Sequence, residues 1–109
     1  MNVNNLIWGL EELSDKELQE KLWLGKSEGE MSSFVEAISS TFDDSGLGKI
    51  LDSKGSQDEV SVELREKALQ LGRLIRRVPQ SAAPLDTINH PEMNAVRDLA
   101  GEMLALLKK

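Results

Sequence analysis

Residues 57–78 constrain the fold more than any other stretch, because their apolar residues recur at the spacing of one helix face. The intervals are 4, 4, 3, 4 and 3 positions, which places these residues in one stripe along an α-helix. Acidic residues at the start and arginines at the end complement the helix dipole, and Pro79 ends the helix. We therefore expect the longest helix here, with the remaining chain packed around it. The stripe consists of Val60, Leu64, Ala68, Leu71, Ile75 and Val78.

Residues 91–108 carry a second helical pattern, which begins with Pro91 at the first helical position. Their apolar residues recur at intervals of 3, 4, 3 and 4, and further leucines widen the apolar face. A face this broad is typical of a helix that is enclosed on several sides. We expect this C-terminal helix to pack on helix 57–78. Its stripe consists of Met93, Val96, Ala100, Met103 and Leu107.

The rest of the chain predicts shorter helices at about 4–13, 15–24 and 34–42, with single turns near 47–51 and 85–88. Ser14 begins a Ser-Asp-Lys-Glu sequence, which is typical of a capping box, and Leu18 and Leu22 would then face inward. Leucine is frequent, and no long β-branched run alternates with polar residues. The sequence therefore predicts a single all-α domain over residues 1–109, a compact bundle of three to five helices.

The composition excludes several classes of site. The chain has no cysteine and one histidine, so a zinc site with Cys and His ligands is excluded. The first ten residues carry no basic residue and only a short apolar run, which is typical of neither a signal peptide nor a membrane span. We expect a cytoplasmic protein that does not contact a membrane.

Candidate catalytic and ion-binding residues are few. His90 directly precedes Pro91 at a predicted helix start, a position typical of a cap and not of a catalytic base. Residues 43–46 (Asp-Asp-Ser-Gly) lack the alternating ligands and the distal glutamate of a calcium loop, and they serve equally well as a helix stop and restart. We therefore expect a protein that is not an enzyme and that holds no cofactor and no metal.

The net charge of −6 is unevenly distributed along the chain. Residues 1–64 contain 14 acidic and five basic residues, for a net charge of −9, whereas residues 65–109 have a net charge of +3. The acidic half would repel nucleic acids and anionic membranes, so we expect neither as a partner. Two explanations stay open: a surface that binds a basic protein, and a surface that only keeps the chain soluble.

Two smaller features of helix 57–78 have more than one interpretation. Arg73, Arg76 and Arg77 could contact phosphate, but dipole complementation and pairing with acids of the N-terminal half is the favoured interpretation. Val62 and Leu69 lie off the core stripe. The N-terminal segment could cover this apolar spot, and if the spot is bare it marks a docking surface.

The N-terminal half resembles small orphan proteins of bacteria, some of which are immunity proteins for contact-dependent or secreted toxins. The likeness is one of character and size. It is carried by residues 13–18 (Leu-Ser-Asp-Lys-Glu-Leu), 22–24 (Leu-Trp-Leu), 32–37 (Ser-Ser-Phe-Val-Glu-Ala) and 42–47 (Phe-Asp-Asp-Ser-Gly-Leu). The resemblance implies an inhibitor that covers the active site of a basic toxin, often a nuclease, with its own carboxylates.

We therefore predict a non-catalytic acidic protein-binding module whose partner is a basic protein, most concretely an immunity or inhibitor protein. The alternative is a structural or oligomerisation domain, such as a homodimer in which the seams of the last two helices pair between chains. A large exposed apolar stripe would favour that alternative. The predicted partner contacts are Glu11, Glu12, Asp15, Glu20, Asp43 and Asp44, with Trp23 as an apolar anchor.

Overall fold

The computed structural model describes residues 1–25, 29, 31–52 and 60–108, and within these ranges the regular structure is entirely helical. The predicted all-α class is confirmed. A π-helix, Ser39–Asp44, directly continues the helix Phe34–Ile38, so the described residues form five main helical elements and two short connecting helices, Leu47–Asp52 and Pro84–Ile88. Residues 57–59 of the predicted long helix, most of the predicted loops 26–31 and 52–57, and Lys109 lie outside the described residues. The α-helices are α1 (Val3–Ser14), α2 (Lys16–Trp23), α3 (Phe34–Ile38), α4 (Leu47–Asp52), α5 (Val62–Arg76), α6 (Pro84–Ile88) and α7 (Glu92–Leu107).

The predicted stripe of the long helix lies in the core, and α5 packs on α7 as the sequence predicts. All six stripe residues are at most 7% exposed, including Val60 and Val78, which lie just outside the helix ends. The helix begins at Val62 because the Ser61 hydroxyl accepts a hydrogen bond from the Leu64 amide at 3.1 Å. The periodicity thus identified the buried residues correctly, including two beyond the helix itself.

The helix at the centre of the molecule is α1, so the expectation that the chain packs around residues 57–78 is wrong. α1 lies against α2, α3, the π-helix and α7, whereas the main neighbour of α5 is α7. Leu6, Leu10 and Leu13 of α1 are fully buried. A short helix that is covered from several directions contributes more of its surface to the core than a longer helix that is covered along one stripe.

Gly9 allows α1 to approach the π-helix closely. A Cβ atom at position 9 would lie 2.2 Å from Thr41 Oγ1 and 2.8 Å from the Thr41 amide nitrogen. Thr41 is itself fully buried, and its hydroxyl donates to the Ala37 carbonyl at 2.7 Å. In an α-helix the Thr41 amide would donate to that same carbonyl. Because the Thr41 hydroxyl competes with the amide for this acceptor, the wider π-helical turn is favoured.

The start of α2 differs from the predicted capping box. Asp15 is the N-cap and accepts from the Leu18 amide at 3.2 Å, while the Ser14 hydroxyl donates to the Glu11 carbonyl within the last turn of α1. The buried residues of α2 are Gln19 and Trp23, and the leucines predicted to face inward, Leu18 and Leu22, are half-buried. The buried face is therefore rotated by one residue from the predicted one.

Gln19 makes this rotation favourable because its buried amide joins four helices. Its Nε2 donates to the carbonyls of Glu12 and Leu13 at the end of α1, both at 2.9 Å. Its Oε1 accepts from Arg97 Nε of α7 at 3.0 Å, and the same guanidinium donates to the Ile88 carbonyl at the end of α6. Each polar atom of the Gln19 side chain has a partner, so burial leaves none of them unsatisfied.

Replacement of Gly9 by alanine should destabilise the protein by about 1–3 kcal/mol, because the added methyl group overlaps the backbone and hydroxyl of Thr41. The free energy of unfolding is measured by urea titration. Gly101→Ala is the matched control, since a Cβ at position 101 of α7 has no neighbour within 4 Å. The control should be neutral or stabilising by up to about 1 kcal/mol. Equal effects of the two variants would contradict the close packing of α1 on the π-helix.

Replacement of Leu71 by alanine should lower the free energy of unfolding by about 2–5 kcal/mol, because Leu71 is fully buried between α5 and its neighbours. Leu85→Ala, at a leucine that is 54% exposed on α6, is the control and should change stability by less than about 0.5 kcal/mol. A loss below about 1 kcal/mol for Leu71→Ala in a chemical denaturation series would place that side chain outside the core.

Candidate protein-binding site

Five of the six predicted acidic contacts fall into two groups at opposite ends of α1, and Glu20 lies on α2. Glu11 and Glu12 lie in its last turn, and Asp15 follows it. Asp43 and Asp44 end the π-helix, where Asn5 Nδ2 in the first turns of α1 donates to the Asp44 carbonyl at 3.3 Å. At 1.5 Å per residue, Asn5 and Glu12 are about 10 Å apart along the axis. The six acids therefore do not form one continuous patch.

Glu12 and Trp23 form an internal contact. Glu12 Oε2 accepts from Trp23 Nε1 and from Ser32 Oγ, each at 2.8 Å. The Trp23 ring is 5% exposed and lies tilted against Phe34, with 5.7 Å between ring centroids. The interaction satisfies the indole N–H inside the core. With so little of its ring exposed, Trp23 has a clear structural role and offers a partner little surface.

The charge of Glu20 also faces a cation of the same chain. Burial lowers the pKa of the Arg97 guanidinium, and the nearby Glu20 carboxylate partly offsets that effect by raising it. Glu20 thus stabilises the charged form of the arginine that binds Gln19. Of the predicted acids, Glu11, Asp15, Asp43 and Asp44 are exposed, whereas Glu12 and Glu20 are half-buried.

Trp8 is a functional candidate that the sequence reasoning missed. Its side chain is 65% exposed and lies on the side of α1 opposite the buried leucines. Glu11 and Glu12 follow it by three and four positions and share its side of the helix, and Asp15 continues that line beyond the helix end. We call Trp8, Glu11, Glu12 and Asp15 the Trp8 face. The sequence did contain a signal, because Trp8 does not fit the stripe formed by Leu6, Leu10 and Leu13.

The Trp8 face combines the two groups that bind an arginine or lysine side chain well. An indole ring attracts a cation placed over its face by about 0.5–2 kcal/mol, and tryptophan binds best among the aromatic residues. A carboxylate one helical turn away can accept charge-assisted hydrogen bonds from the same cation. Lys16 is the one basic residue among positions 8–16, so this surface carries more negative than positive charge.

His90 is the one histidine of the chain. His90 lies at the start of α7, where its Nδ1 accepts from the Glu92 amide at 3.1 Å, in keeping with the predicted capping role. His90 lines none of the three main cavities of the described structure. Among residues 1–25, 29, 31–52 and 60–108, no group of three His, Asp or Glu side chains is arranged to hold a metal ion.

One cavity, of about 470 Å³, is an open groove on the side of α5 that faces the π-helix and α4. A second hollow, of about 360 Å³, lies between α5 and α7, beside the Lys67–Glu102 ion pair at 3.3 Å. The third, between Trp23, Phe34 and Pro84, is only about 60 Å³, and a drug-sized ligand would not fit there.

Comparison with known proteins gives no match: no protein-family model matches the chain, and neither does any curated protein or solved structure. The resemblance to immunity proteins therefore stays a prediction. None of the helices in the described part of the chain has the length and apolarity needed to cross a membrane. The function has to be argued from the surface of this chain.

The two tryptophans should differ sharply in fluorescence. In Trp23→Phe the remaining Trp8 should emit as a solvated indole and be quenched readily by acrylamide, because it is 65% exposed. In Trp8→Phe the remaining Trp23 should emit at shorter wavelength and resist quenching, because it is buried and bonded to Glu12. Each variant is the control for the other. Equal quenching constants would contradict the assignment of Trp8 to the surface and Trp23 to the core.

Proposed function

We propose that the protein is a non-catalytic, acidic protein-binding module that recognises a basic protein through the Trp8 face. The observation that carries this proposal is the exposed indole of Trp8 on the same side of α1 as the exposed acids Glu11 and Asp15. Tryptophan is among the residues most enriched at the energetic centres of protein interfaces. In a monomer, an indole of this exposure leaves a large apolar surface in water, which a partner would cover.

The charge of the surface specifies the kind of partner. Exposed carboxylates speed the encounter with a basic protein and fix its orientation, while the central aromatic side chain supplies most of the affinity. An arginine of the partner could stack on Trp8 and bond to Glu11 with the same guanidinium group. The proposal therefore replaces Trp23 by Trp8 as the apolar anchor and keeps Glu11 and Asp15 of the predicted acidic contacts.

The most concrete form of this proposal is an immunity or inhibitor protein that acts in the bacterial cytoplasm on a basic toxin. The support is the resemblance in character together with the acidic Trp8 face. Such a protein needs no catalytic group of its own, since it acts by covering the active site of its partner.

The structural alternative, a homodimer through the last two helices, finds less support. Those seams pack against each other within one chain, and their stripe residues from Val60 to Met103 are buried. A homodimer through these helices would need a comparable apolar stripe on the outside. The exposed apolar residues of α5 are Val62 and Leu69, seven positions apart.

A pull-down from the native host tests the proposal. The tagged protein should retain a basic protein that is released as the salt concentration rises, because salt screens exposed charge pairs. Trp8→Ala should weaken that complex at least tenfold, roughly the effect expected for a residue at the centre of an interface. Binding is quantified by mass spectrometry of the retained proteins and then by calorimetry with the purified partner.

The matched controls are Leu85→Ala, at another exposed apolar side chain, and Glu66→Gln, at an exposed acid of α5. Both should bind as the unaltered protein does. Retention of the same partner by Trp8→Ala, or capture of an acidic protein by this face, would overturn the proposal. Recovery of the bait alone, with light scattering that reports a dimer, would favour the oligomerisation domain.

A further inference from the structure

The groove beside α5 is a second surface that the Trp8 face does not include. Its floor and walls come from α3, the π-helix and α4 on one side and from α5 on the other. Leu69, at one edge, is 41% exposed, so the N-terminal segment does not cover the apolar spot as one interpretation of the sequence expected. The apolar side chains with accessible surface in the groove are Ile38, Phe42, Leu51 and Leu69, whereas Ala68 and Ile75 beneath them belong to the buried core.

The charge at the edges of the groove is opposite to that of the Trp8 face. Arg73 and Arg76 line the α5 side, both with exposed side chains, and Asp52 lies on the α4 side. The third arginine of the predicted cluster, Arg77, is 3.8 Å from Glu92 of α7, so its partner is not an acid of the N-terminal half. Two guanidinium groups along one edge attract carboxylates, while Asp52, the one acid among the described residues that line the groove, repels them.

The walls of the groove are held in place by the backbone of α4. Arg65 of α5 donates to the Ile50 carbonyl at 3.1 Å and to the Leu51 carbonyl at 2.9 Å. These bonds fix the last turn of α4 beside α5. Gly72 lies in the middle of the α5 side, and a Cβ atom there would meet nothing within 4 Å. The groove is thus a preformed hollow, and the absence of a side chain at position 72 keeps it open.

We propose that this groove binds an acidic amphipathic helix of a partner protein. The groove-lining residues of α5 from Ala68 to Arg76 span about 12 Å, the length of about two helical turns. A ligand helix of that length presents apolar residues at i, i+3 or i+4, and i+7, which would fill the apolar floor. Its carboxylates would pair with Arg73 and Arg76, and its opposite edge, facing Asp52, would carry polar or basic residues.

The charge pattern favours this occupant over a second copy of the chain. Trp8, the exposed tryptophan of the acidic N-terminal half, lies on one helix whose inner face is already buried in the bundle. A groove of two helical turns needs several apolar side chains in a row, whereas the exposed apolar residues of α1, Val3 and Trp8, are five positions apart and lie on different sides of the helix. The ligand is therefore a helix supplied by another protein, with a complete apolar stripe of its own.

A display library of helical peptides, selected against the complete protein, tests the proposal. The selection should enrich acidic peptides with apolar residues spaced at i, i+3 or i+4, and i+7. The affinity of an enriched peptide, measured by fluorescence anisotropy, should fall at least tenfold in Gly72→Leu, a rough figure for a side chain that blocks the groove. Gly101→Leu is the matched control on α7, where a Cβ also meets nothing, and it should bind unchanged.

A second variant tests the attraction between the two arginines and the carboxylates of the peptide without filling the groove. Arg73→Glu combined with Arg76→Glu changes two exposed side chains, so the fold should persist by circular dichroism. The acidic peptide should lose affinity by about tenfold or more, and the loss should shrink as salt rises. Enrichment of basic peptides or of none, or equal binding by Gly72→Leu and Gly101→Leu, would overturn the proposal. So would concentration-dependent self-association that Gly72→Leu abolishes, since the occupant would then be a second copy.

Discussion

The buried amide of Gln19 is the contact on which the arrangement of this bundle most depends. It satisfies two carbonyls at the end of α1 and accepts from Arg97, which in turn binds the end of α6. A buried amide costs free energy unless each of its polar atoms is bonded, so the four helices must meet in this one arrangement. Apolar packing favours a compact bundle, and this network selects which bundle forms.

The elements that could be predicted from sequence are those whose information is local. The stripe from Val60 to Val78 needs only helical periodicity, and all six of its residues are buried. The inward position of Gln19 could not be predicted in this way, because periodicity assigns polar residues to the surface. Its partner Arg97 lies 78 positions further along the chain. Because periodicity carries no information about tertiary contacts, the sequence also predicted Leu18 and Leu22 on the inner face of α2 and residues 57–78 at the centre of the molecule. The structure shows neither arrangement.

The candidate site shows the same division between local and tertiary information. The sequence shows that the N-terminal half is acidic. Only the fold shows that Asp43 and Asp44 lie at one end of α1 and that Glu11, Glu12 and Asp15 lie at the other. The sequence predicts Trp23 and not Trp8 as the apolar anchor, because Leu22, Trp23 and Leu24 cannot all face the core from one helix. The tertiary contact that decides between them is the bond from Trp23 Nε1 to Glu12, which gives the indole N–H a buried acceptor. With one indole satisfied in the core, the other is left on the surface.

The uneven charge along the chain acquires a physical meaning from the two surfaces. The acidic half contributes the Trp8 face on the outer side of α1, and the basic half contributes the arginine edge of the α5 groove. The two surfaces have no residue in common, so substitutions in one should leave recognition by the other unchanged unless the fold itself responds. A change that destabilises α1 should also disturb the Trp8 face, because the inner side of this helix forms part of the core and its outer side carries Trp8. The groove depends instead on Arg65 holding α4 to α5, and a change there would alter the second surface first.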